Sequence, residues 1–521
     1  YWRRSEVVTE VDFVRLRYGE HKTGNALRIF KSLFDGVLVN CTIMASVTLA
    51  MAKVATIVLG LSTEPLFVLP LFGAVTWTSV VLALLTVFVL AYCAMSGLYG
   101  VVYTDLFQFF FAMVGTIALA VIMYIDASRG PGFLAKLDAV PGFDRSLLAS
   151  IPDLSLWNAA SFSFFFYIGI VWWMSFPTGG FHVQRLLSTR DENEATKAFL
   201  WYNFANYVLR SWPWIVVGML AIIYFPNIEN PEDSYALAIA RFLPVGLKGV
   251  MVASFLAAYM STISTHLNWG TSYLVNDLYS AFINPRAKPH HVVQVSRMCM
   301  VLLAIVAALI ATKLTMMITA YKFLTMLWAG VGTILIARWY WWRITAGAEF
   351  LALSATVVLT TLLHIPASQP VLAAIHEGIG LGSEVDGLAL FCIRVSVMTL
   401  LPPLVWVPYV LLRKGEPSRE AVGFYRKLRI SSPGWRRVEQ ETGIPAPRGE
   451  LVRNLRGWLI TVLALYGVML GIGALLFHQW RSAALYLAIG AVCGISMHRM
   501  FSSGGMFPPA HSPEGDTDAS A

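Results

Sequence analysis

Uncharged runs of membrane-spanning length recur from one end of this sequence to the other, and no other feature constrains the fold so strongly. A helix that crosses a bilayer needs about 20 mostly apolar residues. Only 13% of the 521 residues are charged and 57% are hydrophobic, whereas about a quarter of the residues in soluble domains are charged. The sequence therefore excludes a soluble enzyme and a nucleic-acid-binding protein, and it predicts an all-α, polytopic membrane protein with about twelve transmembrane helices. The predicted spans are 36–60, 66–96, 106–125, 154–184, 198–228, 249–276, 298–312, 314–337, 350–375, 387–412, 457–480 and 482–497.

Lys and Arg residues are divided unevenly between the two sets of loops that these spans define. If the first segment is cytoplasmic, 27 of the 38 Lys and Arg residues fall on the cytoplasmic side, seven fall on the opposite side and four lie within spans. Cytoplasmic loops of membrane proteins carry such an excess of positive charge. We therefore expect a multi-pass protein with both ends of this sequence in the cytoplasm, and we attribute the net charge of +8 to these loops.

The pattern of spans and loops also predicts how the chain is organised. We expect a membrane core over 1–340, additional transmembrane helices over 341–412, a basic cytoplasmic loop over 413–456, a C-terminal transmembrane hairpin over 457–498 and a disordered tail over 499–521. The residues 1–5 are typical of the cytoplasmic end of a helix whose apolar part lies upstream. The five cysteines lie in apolar segments without the spacing of a metal site or a disulfide framework.

A few ionisable side chains fall within or beside the predicted spans. Charged groups are costly in a bilayer and are therefore functional candidates by default. Lys322 is a candidate for substrate binding. Asp105 lies directly before the first residue of the predicted span 106–125. For Lys53 we favour a position near the outer interface or between helices, and for Arg394 an anchoring role at the end of its span.

The span 198–228 carries three polar side chains at helical spacing. Asn203, Asn206 and Arg210 are separated by three and four residues, which places them on one face of a helix. This face either recognises an anion or hydroxyl groups of a substrate through a fixed guanidinium, or it holds a structural arginine against backbone carbonyls. Both interpretations predict that it faces the interior of the protein.

Hydroxyl groups are concentrated in the span 249–276. Ser261, Thr262, Ser264 and Thr265 occupy little more than one helical turn of an otherwise apolar helix. A single serine or threonine in a membrane helix usually bonds to a backbone carbonyl of its own helix. A cluster of hydroxyl oxygens together with a carbonyl also supplies the hard ligands that a desolvated sodium ion requires.

Several motifs, in this order and spacing, make the sequence resemble the sodium/solute symporter family, and in particular a bacterial branch of it. The resemblance extends over about 1–340, and further motifs follow it. The motifs are Gly97-Leu-Tyr-Gly-Val-Val-Tyr-Thr-Asp105-Leu-Phe-Gln108, Val183-Gln-Arg185 with Asp191-Glu-Asn-Glu-Ala195, Leu243-Pro-Val-Gly-Leu-Lys-Gly249, Ala257-Ala-Tyr-Met-Ser-Thr262, Asn276-Asp-Leu-Tyr279, Arg338-Trp-Tyr-Trp-Trp-Arg343 and Phe424-Tyr-Arg-Lys with Pro433-Gly-Trp435.

The resemblance implies a LeuT-like bundle of two inverted repeats, of which the first is incomplete in this sequence. It also implies a sodium site formed by the carbonyl of Ala258 and the hydroxyls of Ser261 and Thr262, with the remaining ligands on a helix that precedes Tyr1. Asp105 matches an aspartate that the family associates with sodium release. These residues are the sodium-site candidates.

The substrate positions differ from those of the sugar-transporting relatives. Those relatives place an Asn, a gating Tyr and a Lys where this sequence has Trp172, Ser175 and Asn206. The Pro and Gly residues that follow Trp172 are typical of a discontinuous helix that lines a cavity. A galactose-type site is therefore not expected, and Arg210 favours an anionic or carboxylate solute.

The sequence and the resemblance together predict sodium-coupled symport of a small organic solute in a bacterial inner membrane. Sodium would be the coupling ion, no cofactor is expected, and the partners are the solute, sodium and the lipid bilayer. Two alternatives remain open: a proton-coupled transporter, for which His266 is close enough to the hydroxyl cluster, and a membrane sensor with the same fold. An enzyme is not expected, because no catalytic motif is present in the loops.

Overall fold

The structure is a computed structural model that describes residues 1–7, 9–93, 98–149, 151–171, 180–382, 387–413, 415–447 and 449–502. Trp172, Ser175 and most of the predicted tail lie outside these ranges. The α-helices are Trp2–Ser5, Glu10–Tyr18, Lys22–Leu33, Asn40–Leu59, Trp77–Cys93, Leu98–Ala127, Phe133–Asp138, Ala159–Phe166, Gly180–Leu187, Glu192–Asn203, Ser211–Tyr224, Ser234–Phe242, Val245–Ser272, Pro289–Ala311, Met317–Tyr340, Ala346–His364, Gln369–Gly378, Gly387–Leu412, Arg419–Leu428, Arg436–Thr442, Glu450–Leu476 and Trp480–Ser502.

Within the described ranges, ten helices are long and apolar enough to cross a membrane. Two shorter apolar helices, Trp77–Ala91 and Ala159–Gly169, occupy the predicted spans 66–96 and 154–184. The prediction of an all-α polytopic membrane protein is confirmed, while the count of twelve spans stays a prediction.

Among the described residues, four of the predicted spans overlap a stretch of π-helix. These stretches are Phe34–Val39, Tyr167–Val171, Phe204–Leu209 and Tyr273–Ile283. A π-helix bonds residue i to residue i+5, so it inserts an extra residue into the turn and changes the direction of the side chains that follow. Such insertions often occur at functional sites.

Three parts of the chain differ from the sequence prediction. The predicted span 66–96 begins with an antiparallel hairpin of the strands Phe67–Leu69 and Gly73–Val75, because Pro70 and Gly73 favour a turn over a helix. The span predicted at 36–60 begins further upstream, at Lys22. The basic loop 413–456 contains the short helices Arg419–Leu428 and Arg436–Thr442.

Polar caps determine where several helices begin. The hydroxyl of Thr9 accepts a hydrogen bond from the Asp12 N–H at the start of Glu10–Tyr18. The carboxylate of Asp191 accepts one from the Glu194 N–H at the start of Glu192–Asn203. These bonds satisfy N–H groups that lack a partner within the helix.

The chain divides into two compact units. The first comprises Tyr1–Val8, Val183–Trp212 and Ala421–Ala521, and the second comprises Thr9–His182 and Pro213–Glu420. In the first unit, Gly467 and Gly490 let the backbones of the last two helices approach closely, as small residues do in membrane proteins. The second unit contains the larger apolar core, in which Trp269, Tyr273 and Leu327 pack against Val11 and Trp406.

Candidate sodium and substrate site

The predicted sodium ligands lie on one face of the Val245–Ser272 helix. Ala258, Ser261 and Thr262 are spaced three and four residues apart, and this segment is a regular α-helix. Ala258 is exposed, and Ser261 and Thr262 are half-buried. The hydroxyls of this face are therefore accessible rather than enclosed by the core.

The buried hydroxyl of Ser264 bonds to its own helix. Ser264 donates to the carbonyl of Ser261 at 3.0 Å and is 2% exposed. This is the ordinary behaviour of serine in an apolar helix. The structure therefore separates the cluster into an inward serine and an accessible face that contains the two predicted ligands.

A hydrogen-bonded crossing lies one helical turn beyond this face. The Asn40 amide donates from Nδ2 to the His266 carbonyl at 2.9 Å, and its Oδ1 lies 2.6 Å from Nδ1 of the same histidine. Because an amide oxygen only accepts, the Nδ1 atom of His266 donates. Both residues are almost completely buried, at 0% and 3% exposure.

Glycine makes this crossing possible. Gly270 lies against Asn40, so a methyl group added there would collide with the amide nitrogen and lie 2.8 Å from the Gly36 carbonyl oxygen. Gly36 in turn lies beside Tyr273, at the π-helical part of each span. The crossing thus fixes the Val245–Ser272 helix against the helix that begins at Asn40.

The predicted substrate residues of the span 198–228 belong to the first unit. The side-chain amide of Asn203 donates to the backbone carbonyl of Phe199 at 2.7 Å. The backbone carbonyl of Asn206 accepts a hydrogen bond from the Ser211 hydroxyl at 3.2 Å. Both are half-buried, while Arg210 is exposed.

A π-helix changes the relation between these three residues. The Arg210 N–H bonds to the Ala205 carbonyl, five residues back, at 3.0 Å. The spacing of three and four residues assumed a regular α-helix, and the inserted residue of the π-turn rotates the side chains that follow it. It stays a prediction that Asn203, Asn206 and Arg210 share one face of the helix and that this face binds the substrate.

The remaining candidates are Lys322, whose side chain the structure describes, and Asp105, of which it describes only the backbone. Lys322 lies over the Phe391 ring, with 5.5 Å between its Nζ and the ring centroid. This cation–π contact supplies part of the stabilisation that a lysine in a span requires. Asp105 lies within the helix Leu98–Ala127, but its side chain is outside the described part of the structure.

Lys53 has partners that the sequence did not reveal. Its Nζ lies 2.7 Å from Asp233 and 3.3 Å from Glu232. The Glu232 carboxylate also accepts hydrogen bonds of 2.8 Å from the N–H groups of Met317 and Ile318. One carboxylate therefore caps the Met317–Tyr340 helix and also pairs with Lys53, so an interhelical role is favoured for this lysine.

A buried ionic network in the second unit was also not predicted. Arg338 donates to Glu349 at 2.9 Å and to Glu10 at 3.1 Å, while Lys31 lies 3.3 Å from Glu10 and 3.7 Å from Glu349. All four side chains are at most 3% exposed. Lys31 and Arg338 lie outside the predicted spans and count among the charges of the cytoplasmic side, so the sequence did not indicate that they are buried.

Tyr18 completes the network from outside the spans. Its hydroxyl donates to Glu349 at 2.8 Å. Burial and the neighbouring Glu349 carboxylate raise the pKa of Tyr18 well above its ordinary value. The tyrosine therefore remains a neutral hydrogen-bond donor over the physiological range.

The comparisons with known proteins agree with this fold. The model of the sodium:solute symporter family matches residues 2–355. The sodium/glucose cotransporter of Vibrio parahaemolyticus is 28% identical over 342 residues, which cover 60% of this chain and 60% of that protein. The sodium/proline symporter of Haemophilus influenzae is 23% identical over 329 residues, which cover 60% of this chain and 62% of that protein.

A solved structure matches a longer part of the chain. It shows a substrate-bound, outward-open Na+-coupled sialic acid symporter, with a TM-score of 0.55, 16% identity and coverage of 80% of each chain. This match confirms the predicted LeuT-like fold. The two curated relatives are matched over about three fifths of their own length.

Proposed function

Because this chain belongs to the sodium:solute symporter family, we propose that it couples inward sodium movement to the uptake of a small organic solute by alternating access. The family consists of sodium-coupled transporters rather than enzymes, and sodium acts as the coupling ion rather than as a cofactor. The observation that carries the proposal is the accessible face of Ala258, Ser261 and Thr262. Neutral oxygen ligands of this kind suit sodium, which must be released again at the end of each cycle.

Coupling requires that sodium bind more tightly to one of the two states than to the other. The Val245–Ser272 helix is fixed at its Asn40–His266 crossing, so the oxygens of the predicted site have a rigid support. For a solute without net charge, such as a zwitterionic carboxylate, one sodium ion that crosses a potential of 100 mV contributes about 2.3 kcal/mol, which corresponds to a roughly fiftyfold accumulation of solute. A monoanion that moves with a single sodium ion carries no net charge across the membrane, so its uptake depends on the sodium gradient instead.

For the solute we propose an anion or a carboxylate. Arg210 supports this choice, because an exposed guanidinium within a span is costly unless it faces a polar cavity. The named relatives transport glucose and proline, of which only proline has a carboxylate. The chemistry of Arg210 rather than these names decides the proposal.

Proton coupling is less well supported than sodium coupling. His266, the candidate proton carrier, is 3% exposed, and its Nδ1 is engaged with Asn40. Its contacts with Asn40 assign it a role in the helix crossing. For localisation we propose the bacterial inner membrane with the basic loops in the cytoplasm, which the charge distribution supports.

Uptake into proteoliposomes tests the proposal. Labelled carboxylates, amino acids and sugars are supplied with an inward gradient of sodium, of potassium or of protons. We expect concentrative uptake of one solute class only with sodium, and a loss of that uptake in S261A/T262A. Uptake that follows the proton gradient without sodium would replace the proposal with proton coupling.

A further inference from the structure

The part of the basic segment that belongs to the first unit, residues 421–456, folds around stacked aromatic rings. The Trp435 ring stacks with the rings of Phe424 and Tyr425, at centroid distances of 5.6 Å and 5.9 Å, and all three side chains are 0% exposed. Leu428 and Ile430 are buried beside them. The segment is therefore a compact element with fixed surface charges rather than a solvated loop.

Positive charge remains unbalanced on the surface of this element. Arg426 and Arg436 are exposed and Arg429 is half-buried, and none of the three forms an ion pair within the described ranges. Two of the acidic residues nearby have other partners: Glu439 accepts from the Ala446 N–H at 2.9 Å, and Glu450 pairs with Arg4 at 2.9 Å. The arginines are available for an external anion.

A membrane span begins directly after this element. The helix Glu450–Leu476 is a membrane span, and Val452 and Leu455 in its first turns are 70% and 54% exposed. Exposed apolar side chains at this point indicate that the hydrocarbon region begins within two turns of the basic element. Trp458 is exposed in the same region, as interfacial tryptophans are.

Arg453 adds a charge at the membrane boundary. It is half-buried and lies in the first turn of the Glu450–Leu476 helix. Arginines at the cytoplasmic end of a membrane span lie at the height of the lipid phosphates, with which a guanidinium forms charge-assisted hydrogen bonds.

We propose that Arg426, Arg429, Arg436 and Arg453 form a binding surface for anionic phospholipid headgroups. Clusters of Lys and Arg beside a membrane helix attract anionic lipids. The fixed fold distinguishes this surface from a flexible basic tail, because its arginines are positioned before the lipid binds. The binding is electrostatic, so it weakens as salt shortens the Debye length from about 10 Å at 0.1 M to about 3 Å at 1 M.

The surface is connected to the helix that carries the predicted substrate residues. Arg4 bonds to both carboxylate oxygens of Glu192 at 2.8 Å and 2.9 Å, and its Nη1 donates to the Leu428 carbonyl at 2.9 Å. Burial opposes the charge of Arg4, but the hydrogen bond and charge of Glu192 raise its pKa above the ordinary value. Arg4 thus joins the basic element to the first turn of the Glu192–Asn203 helix, and lipid binding stabilises both.

Hydrogen exchange of the full protein in nanodiscs tests this proposal. Nanodiscs of phosphatidylcholine are compared with nanodiscs that also contain phosphatidylglycerol. We expect slower amide exchange over 421–442 and 192–199 with phosphatidylglycerol, and we expect salt to remove the difference. Phosphatidylglycerol titrated into the detergent-solubilised protein and followed by native mass spectrometry gives the affinity, which we expect to fall about fivefold for each arginine neutralised.

Three variants decide between outcomes. We expect R426Q/R429Q/R436Q to lose the protection and R426K/R429K/R436K, which keeps the charges, to retain it. The control variant R286A/K288A/R297A removes three exposed charges elsewhere and is expected to behave as the unchanged protein. Equal exchange in both nanodiscs, or protection that survives in the glutamine variant, would overturn the proposal. Inorganic phosphate in phosphatidylcholine nanodiscs is expected to give no protection, and protection there would assign the surface to a free anion instead.

Discussion

Single side chains divide the Val245–Ser272 helix into parts with different roles. Ser264 bonds to its own helix, Ser261 and Thr262 lie on the accessible face, and His266 is held by Asn40. The sequence predicted the hydroxyl cluster, because it lies within about one and a half turns of one helix. It could not predict Asn40 as a partner, because that residue is 226 positions away.

Removal of the two hydroxyls should weaken sodium binding. Each oxygen ligand contributes a charge-assisted contact of about 1.5–3 kcal/mol. We expect S261A and T262A each to raise the sodium concentration for half-maximal uptake roughly tenfold or more. Sodium titration of uptake measures this, with S254A as the matched control, since Ser254 bonds to the Val250 carbonyl of the same helix. An unchanged sodium dependence in both variants would contradict the assigned ligands.

Loss of Asn40 should loosen the crossing. N40A leaves the buried Nδ1–H of His266 without its acceptor, at a cost of about 1–3 kcal/mol. We expect a lower unfolding temperature and weaker sodium stabilisation, both measured by thermal unfolding in detergent. S46A is the control, because the Ser46 hydroxyl bonds to the Ile43 carbonyl within its own helix. If N40A unfolds like S46A, the crossing does not stabilise the helix.

At the scale of helices, charged side chains that are far apart in the sequence hold neighbouring elements together. Glu10 and Arg338 are separated by 328 positions, and Tyr18 and Glu349 by 331. Apolar spans were predictable because hydropathy is a local property of the chain. Ion pairs and π-helical insertions depend on tertiary contacts, so no pattern in the sequence indicated them.

Neutralisation of Glu349 should destabilise the second unit. Its carboxylate is 0% exposed and faces Arg338, Lys31 and Tyr18. One missing charge leaves a buried cation without compensation, which costs about 3–5 kcal/mol. E349Q is expected to unfold at a much lower temperature, whereas E377Q, an exposed carboxylate, should unfold as the unchanged protein. Similar unfolding of the two variants would show that the network does not contribute.

Two variants distinguish how much the cap of the Met317–Tyr340 helix and the ion pair of Lys53 each contribute to stability. Glu232 serves both, while the Asp233 carboxylate pairs with Lys53 and, among the described residues, does not cap the helix. We expect E232A to cost about 0.5–2 kcal/mol more than D233N in the free energy of unfolding, because only E232A exposes two helical N–H groups. Equal losses in denaturant unfolding would mean that the ion pair, not the cap, provides the stability.

At the scale of the whole molecule, the predicted class and fold agree with the family and with the solved structure. Recurrent apolar runs determined the class, and motifs spread over much of the chain determined the family. The substrate residues were less predictable. Their α-helical spacing ignored the π-turn Phe204–Leu209, and two of them, Trp172 and Ser175, lie outside the described residues.

Sodium dependence of solute binding tests the central claim most directly. The unfolding temperature of the protein is measured with carboxylates, amino acids, sugars and polyols, each in sodium and in potassium. We predict that one class stabilises the protein only in sodium, by about 2.7 kcal/mol at a hundredfold excess over its dissociation constant, and that S261A/T262A abolishes the effect. Stabilisation of equal size in potassium would contradict sodium coupling at this site.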